Sequence, residues 1–217
     1  MSYEASSDSS ASGARRVRYA MLIDLRRCVG CQSCSVACKS ENEVPLGKFR
    51  TWVKVIEKGR YPDVSRQFVP MMCNQCEKPI CNRNCPVKAT YVRPDGIVEI
   101  NPHRCIGCMY CMASCPYDVR YINPLRKIVR KCNWCAHRLD AGLLPACVET
   151  CLGRALIFGD INDPDSEISQ LLATNAVTTL KPGLGTEPHC FYIGADSDAM
   201  DPAKGVDLNH IHFHEPY

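Results

Sequence analysis

No stretch of this 217-residue chain reaches the eighteen or so consecutive apolar residues that a membrane-spanning helix needs. The apolar segment Tyr19 to Ile23 is too short for the hydrophobic part of a secretory leader and runs into Asp24, so no signal peptide is expected. Arg15 and Arg16 precede no such segment and read as ordinary surface charge. Aromatic residues are scarce at 7%, which leaves little bulk for a conventional core. No CxxCH occurs, because Cys132 and Cys135 are followed by Ala136 with His137 one place late, and this excludes covalent haem. No nucleophile stands with a base apart from the cysteines, so no catalysis of its own is expected. The formal charge of +3 is too small to mark a nucleic-acid binder.

What the chain has is cysteine: seventeen residues, sixteen of them in four groups. The first is Cys28, Cys31, Cys34 and Cys38; the second Cys73, Cys76, Cys81 and Cys85; the third Cys105, Cys108, Cys111 and Cys115; the last Cys132, Cys135, Cys147 and Cys151. The third, ending in Pro116, is the CxxCxxCxxxCP run of bacterial ferredoxins. Three thiolates from one tight loop can take three corners of a cubane, and the fourth cysteine of the run then serves a neighbouring cluster. Gly30 and Gly107 are expected to let the backbone approach the inorganic core without a Cβ in the way, while Pro86 and Pro116 turn the chain aside. A disulfide scaffold suits shorter secreted chains. Structural zinc usually draws on two CxxC pairs rather than on such runs.

With so much cysteine committed to metal, the clusters are expected to hold the fold together. Oxidised cubanes with four thiolates carry about −2 each, so four of them would turn the formal +3 into roughly −5.

Residues 1–16 are rich in Ser, Ala and Gly and read as a disordered tail. RYAMLIDLRRCVGC from Arg18 reads as a short strand entering the first cysteine loop, and it aligns with GIVEINPHRCIGC from Gly96. Likewise Cys73-Asn-Gln-Cys76 matches Cys132-Asn-Trp-Cys135, and PICNRNCPVKA from Pro79 matches PACVETCLGRA from Pro145, so the chain carries an internal repeat. Between the second and third groups, two β-rich runs joined by Pro94-Asp95-Gly96 read as a hairpin, as in a two-cluster ferredoxin. The second and third groups are therefore expected to share one cluster pair, and the first and fourth the other, in a nested order.

The expected fold is α+β: two nested bacterial-ferredoxin-like modules binding four cubane clusters, with an insertion and a loop-rich C-terminal extension. Module A comprises residues 17–48 and 128–160, the insertion 49–70, module B 71–127, and the extension 161–217, expected to contact a partner. Strands are expected at Phe49 to Ile56 and Gln67 to Met71, and a capped helix after Asp163-Pro164-Asp165. His210, His212 and His214 alternate near the end and read either as a metal site or, more simply, as a solvated tail. Cys190, the seventeenth cysteine, reads as a small buried hydrophobe. The basic run Arg126 to Lys131 reads either as a charge that raises a cluster's potential or as a plain exposed hairpin.

On these groups, the repeat, and the phrases CVGCQSCSVACKSENEVP and CAHRLDAGLLPACVETC, the sequence resembles the four-cluster iron–sulfur subunits of molybdopterin oxidoreductases, in the polysulfide, thiosulfate and tetrathionate reductase branch. The resemblance covers roughly residues 17 to 195. It implies an electron wire of four 4Fe-4S clusters between a molybdenum or tungsten bis-pterin catalytic subunit and an integral membrane quinone-handling subunit. It further implies ligand sets of Cys28, Cys31, Cys34 and Cys151 nearest the catalytic subunit, then Cys132, Cys135, Cys147 and Cys38, then Cys73, Cys76, Cys81 and Cys115, and last Cys105, Cys108, Cys111 and Cys85 nearest the membrane. Some relatives have tryptophan at the position of Cys108 and hold a three-iron cluster there; this chain keeps cysteine. Lys39 and Leu152 replace the proline after the fourth cysteine in the first and last groups. The resemblance favours a place on the extracytoplasmic face of a membrane complex, reached by export beside a signal-bearing partner. The alternative is a polyferredoxin-type subunit of a hydrogenase or formate dehydrogenase. Anaerobically purified protein is predicted to contain about sixteen irons and sixteen acid-labile sulfides per chain. Stoichiometric zinc in place of iron, by elemental analysis, would overturn that prediction.

Overall fold

The computed structural model describes residues 16–201 and 204–207. Its strands are β1 (Tyr19–Asp24), β2 (Thr51–Arg60), β3 (Asp63–Met72), β4 (Thr90–Val92), β5 (Val98–Ile100), β6 (Arg120–Ile122), β7 (Val129–Lys131), β8 (Leu156–Asp160), β9 (Val177–Thr178), β10 (Cys190–Ile193) and β11 (Val206–Asp207). Its helices are short: α1 (Ser33–Glu41), α2 (Ile80–Arg83), α3 (Tyr110–Ala113), α4 (Ala136–Asp140), α5 (Ala146–Glu149) and α6 (Glu167–Thr174).

The continuous apolar run of β1 has no solvent face to present, and Ala20, Met21, Leu22 and Ile23 are all 0% exposed. A strand buried on both sides belongs at the centre of a sheet. Here the order is β8-β1-β10-β9, with β1 antiparallel to β8 and parallel to β10. Because successive side chains alternate between faces, Ala20 and Leu22 pack with Ile157, Ile193 and Ile168 of α6. Met21 and Ile23 point the other way, into the larger core with Trp134 and the cysteines. Phe158 of β8 stacks on Tyr19 at 5.2 Å between ring centres and meets Trp134 edge-on at 5.3 Å, tying the last cysteine loop to this sheet.

Strands β2 and β3 form a long hairpin whose register runs from Thr51 opposite Met72 to Arg60 opposite Asp63, with β11 added along β2. Both strands extend beyond the stretches expected from the sequence, because the polar outer rungs are held by cross-strand hydrogen bonds rather than by burial. The expected hairpin β4–β5 is present, and the basic run lies on a second one, β6–β7. The extension after residue 160 is less loop-rich than expected. It supplies α6, β9 and β10, and β10 lies beside β1 in the central sheet. The tail histidines at 210, 212 and 214 lie outside the described residues.

The internal repeat is visible in the backbone. Left-handed conformations, uncommon outside glycine, recur at matched places: Gln32 and Met109 (φ 60 and 59), Gln75 and Trp134 (44 and 52), and Lys88 and Arg154 (51 and 47). Gly30 and Gly107 both have φ +70, but what a Cβ would strike there is protein. It would lie 2.4 Å from the Phe68 ring at Gly30 and 2.3 Å from the Lys127 carbonyl oxygen at Gly107. Neighbouring polypeptide therefore occupies the space that a Cβ would need at both glycines. With Lys39 after Cys38 helix α1 continues to Glu41, whereas α2, α3 and α5 each stop two residues before the fourth cysteine of their group, although Leu152 and not proline follows Cys151.

Helix α6 begins as expected, with Ser166 at its N-cap accepting a hydrogen bond from the Ser169 N–H at 3.3 Å. Ser166→Ala is predicted to cost about 1 kcal/mol of stability, read as a lower denaturant midpoint of the cluster-loaded protein with its visible spectrum unchanged.

Candidate metal centres

Each cysteine group begins in a loop and ends on or after a helix. Cys28 and Cys31 precede α1, which carries Cys34 and Cys38 one turn apart on its buried side. Helix α1 packs against α5, which carries Cys147 and is followed by Cys151. In the other half α2, carrying Cys81, packs against α3, carrying Cys111. The first and last groups are thereby brought together, and so are the second and third.

Electrostatics shows which thiols face one another. Burial, then repulsion from Cys28 and Cys151, pushes the Cys34 thiol up to about 11. Cys38 is raised by burial and then by Cys132 and Cys135, although it belongs to the same helix as Cys34. Burial and the neighbours Cys132, Cys38 and Cys135 raise Cys147. Burial, with Cys73, Cys81 and Cys115 adding to it, pushes Cys76 up to about 12. Cys111 is raised by burial and by Cys105 and Cys85. Backbone donors also reach the sulfurs: Ala89 N–H to Cys85 Sγ at 3.1 Å, Ala155 N–H to Cys151 Sγ at 3.2 Å, and Trp134 N–H to Cys132 Sγ at 3.4 Å.

One of these gatherings surrounds a small pocket lined by Cys85, Cys105, Cys108 and Cys111, with apolar walls that include Ile100 and Val129. Zinc would need its sulfurs about 2.3 Å from one ion, and among the described residues no three Cys, His, Asp or Glu side chains converge in that way. Around the thiols lie buried polar atoms with no partner in the structure: both amide atoms of Asn74, Ser114 Oγ, Trp134 Nε1, Arg120 Nη2 and Arg50 Nε. Buried donors are normally paired, and these sit between or beside cysteines. Thiols in fours, spaced around volumes and fringed by unused donors, fit sulfide-bearing iron clusters.

All sixteen expected ligands lie within the described residues; most are buried or half-buried, and Cys31 and Cys108 are exposed. Cys190 is buried and donates its S–H to the Cys73 carbonyl at 3.6 Å, as a packing residue would. Residues that sequence reading did not single out include Asn42, whose Nδ2 reaches Cys135 Sγ at 3.5 Å and Cys38 Sγ at 3.7 Å. Arg50 holds Asn42 Oδ1 at 2.7 Å and Asn133 Oδ1 at 3.3 Å, and it is buried despite its charge. Asn74 and Asn133 at matched places between paired cysteines were the available signal.

A fold of thiol-bearing loops on small strands, with cysteines gathered in fours, defines an iron–sulfur protein of the ferredoxin-like kind. A family model described as a 4Fe-4S dicluster domain matches residues 64–161. A subunit of tetrathionate reductase from Salmonella typhimurium is 50% identical over 197 residues, covering 89% of this chain and 79% of that one. A component of polysulfide reductase from Wolinella succinogenes is 44% identical over 179 residues, 81% of this chain and 94% of that one. An Hdr-like menaquinol oxidoreductase iron–sulfur subunit 1 of Archaeoglobus fulgidus is 40% identical over 222 residues, covering 81% of this chain and 82% of that one. This chain therefore belongs to the family of iron–sulfur, electron-transferring subunits of these reductases. Among the described residues no helix is long and apolar enough to cross a membrane.

Crowded buried thiols repel once ionised and gain little from packing alone, so the metal is expected to carry much of the stability. Anaerobic extraction of iron with a chelator is predicted to abolish the near-ultraviolet circular dichroism and expose the chain to protease. A chelated chain that kept both its tertiary signal and its protease resistance would contradict this.

Proposed function

We propose that the chain is the wire of a respiratory oxidoreductase, holding four 4Fe-4S clusters in two nested modules between a bis-pterin catalytic subunit and a membrane subunit that handles quinone. The proposed ligand sets are Cys28, Cys31, Cys34 and Cys151; Cys132, Cys135, Cys147 and Cys38; Cys73, Cys76, Cys81 and Cys115; and Cys105, Cys108, Cys111 and Cys85. The observation that carries this reading is the exchange of fourth cysteines. Cys38 lies among Cys132 and Cys135, and Cys151 faces Cys28 and Cys34. Cys115 faces Cys73 and Cys76, and Cys85 faces Cys111. Residues 17–48 with 128–160 form the proposed module A and 71–127 module B, while 49–70 and the segment after 160 flank them. Bound clusters would pass electrons one at a time; the protein supplies thiolates, donors and insulation.

Two surface regions suit the two partners. Exposed Cys31 lies near exposed Val29 and Val36, and exposed Cys108 near exposed Ile106, Met109 and Tyr110. We assign the Cys31 end to the catalytic subunit and the Cys108 end to the membrane subunit. The names of the relatives, among them a menaquinol oxidoreductase subunit and two reductase components, favour this over a hydrogenase or formate dehydrogenase ferredoxin. An extracytoplasmic face of the membrane is part of the same proposal.

Replacing Cys108 with Ser is predicted to convert one cubane to a three-iron form and raise its potential, since cluster type and charge set the potential. In the assembled complex, quinol-driven turnover should fall or stop, while turnover driven by a dye that feeds the catalytic subunit should survive. Intact quinol oxidation in Cys108→Ser, or loss of dye-driven turnover in a fully assembled complex, would reverse the assigned order.

A further inference from the structure

A buried cation is costly unless negative charge faces it, so buried cations mark where that charge resides. Hairpin β6–β7 sets Arg120 directly opposite Lys131, and the two are only 5% and 4% exposed. Like charges opposite one another weaken an antiparallel pair. Their hydrogen-bond partners within the protein are neutral. Lys131 Nζ donates to the Cys132 carbonyl at 2.8 Å, to Gln75 Oε1 at 3.4 Å and to the Val98 carbonyl. Arg120 Nη1 reaches the Thr90 hydroxyl at 3.4 Å, and its Nη2 is among the buried atoms with no partner. What surrounds the pair is sulfur. Arg120 interacts electrostatically with Cys81, Cys73 and Cys115 and also with Cys111, to which it donates a hydrogen bond. Lys131 acts on Cys81 and Cys132.

We infer that Arg120 and Lys131 are a built-in counter-charge that raises the reduction potential of three iron–sulfur centres. One is held by Cys73, Cys76, Cys81 and Cys115, and both cations act on it. A second is held by Cys85, Cys105, Cys108 and Cys111, where Arg120 acts, and a third by Cys132, Cys135, Cys147 and Cys38, where Lys131 acts on Cys132. The inference rests on the cluster assignment proposed above. Each one-electron reduction adds negative charge to a centre that is already anionic, so a fixed cation beside its ligands stabilises the reduced form more than the oxidised one. Burial keeps that interaction from being screened by salt. Shared between two centres, Arg120 also softens the repulsion that an electron on one exerts on the other. Both are positioning residues for electrons, and neither is an iron ligand.

The test is a redox titration followed by electron paramagnetic resonance on the assembled complex, for wild type, Arg120→Gln, Arg120→Lys, Lys131→Gln and Lys131→Arg. Expected are lower midpoints for two centres in Arg120→Gln, lower midpoints for two in Lys131→Gln with one centre common to both variants, and near wild-type midpoints in the charge-keeping variants. Unmoved midpoints in either Gln variant, with all centres present, would overturn the inference, as would equal shifts in the Gln variants and their charge-keeping counterparts. If the Gln variants lose clusters while the Lys and Arg variants keep them, charge is the requirement and the inference stands; loss in all four variants means shape is required and refutes it. A wild-type complex without four cubane signals would instead refute the cluster assignment itself.

Discussion

Negative charge held out of water is the constraint to which the rest of this structure answers. Fourteen of the sixteen grouped cysteines are buried or half-buried in a 217-residue chain, and burial together with mutual repulsion raises thiols such as Cys34, Cys38, Cys76 and Cys147 above their ordinary range. A protein can meet such charge with water, with donors or with cations. This one directs backbone N–H groups at Cys85, Cys132 and Cys151, the amide of Asn42 at Cys38 and Cys135, and buries Arg50, Arg120 and Lys131 among the thiols. Strands β4 to β7 are short and hold loops at fixed separations, and helices α2, α3 and α5 are single turns that each carry one cysteine and end just before another.

Duplication accounts for the economy of the plan. The same left-handed positions recur in both halves, at Gln32 and Met109 and at Gln75 and Trp134, so one loop geometry has been used twice. The halves then diverge where their surroundings do. Helix α1 runs for nine residues where α3 has four, which lets Lys39 reach back to the carbonyls of Pro45 and Lys48 and over the Phe49 ring. Helix α1 is thereby fastened to the loop that leads into β2, a connection the shorter α3 does not make.

Much of the site was legible because ligand spacing is a local property: the cysteine groups, strand β1, hairpin β4–β5 and the Ser166 cap can each be read from a few neighbouring residues. What escaped depends on distant pairing. Cys190 to Ile193 is too short to declare itself a strand, and only its parallel neighbour β1 makes it one. Arg120 lies in Asp118-Val-Arg-Tyr-Ile122, which reads as an ordinary strand with an outward charge. Its burial follows from Lys131 opposite and from thiols distant in sequence. The glycines were legible as special from their spacing, while the Phe68 ring and the Lys127 carbonyl that crowd them come from elsewhere in the chain.

The parallel pairing of β1 with β10 has a consequence for biogenesis. Strand β1 leaves the ribosome well before β10, yet Met21 to Asp24 lie rung for rung against Cys190 to Ile193. Contacts so far apart in sequence close slowly, and until they close the apolar face of β1 has lost one flank. During synthesis the nascent polypeptide therefore carries cysteine loops in a half-built sheet, open to iron, to oxidants and to wrong thiol partners. Delivery of metal is best timed after β10 has joined the sheet, and until then the thiols must be kept reduced.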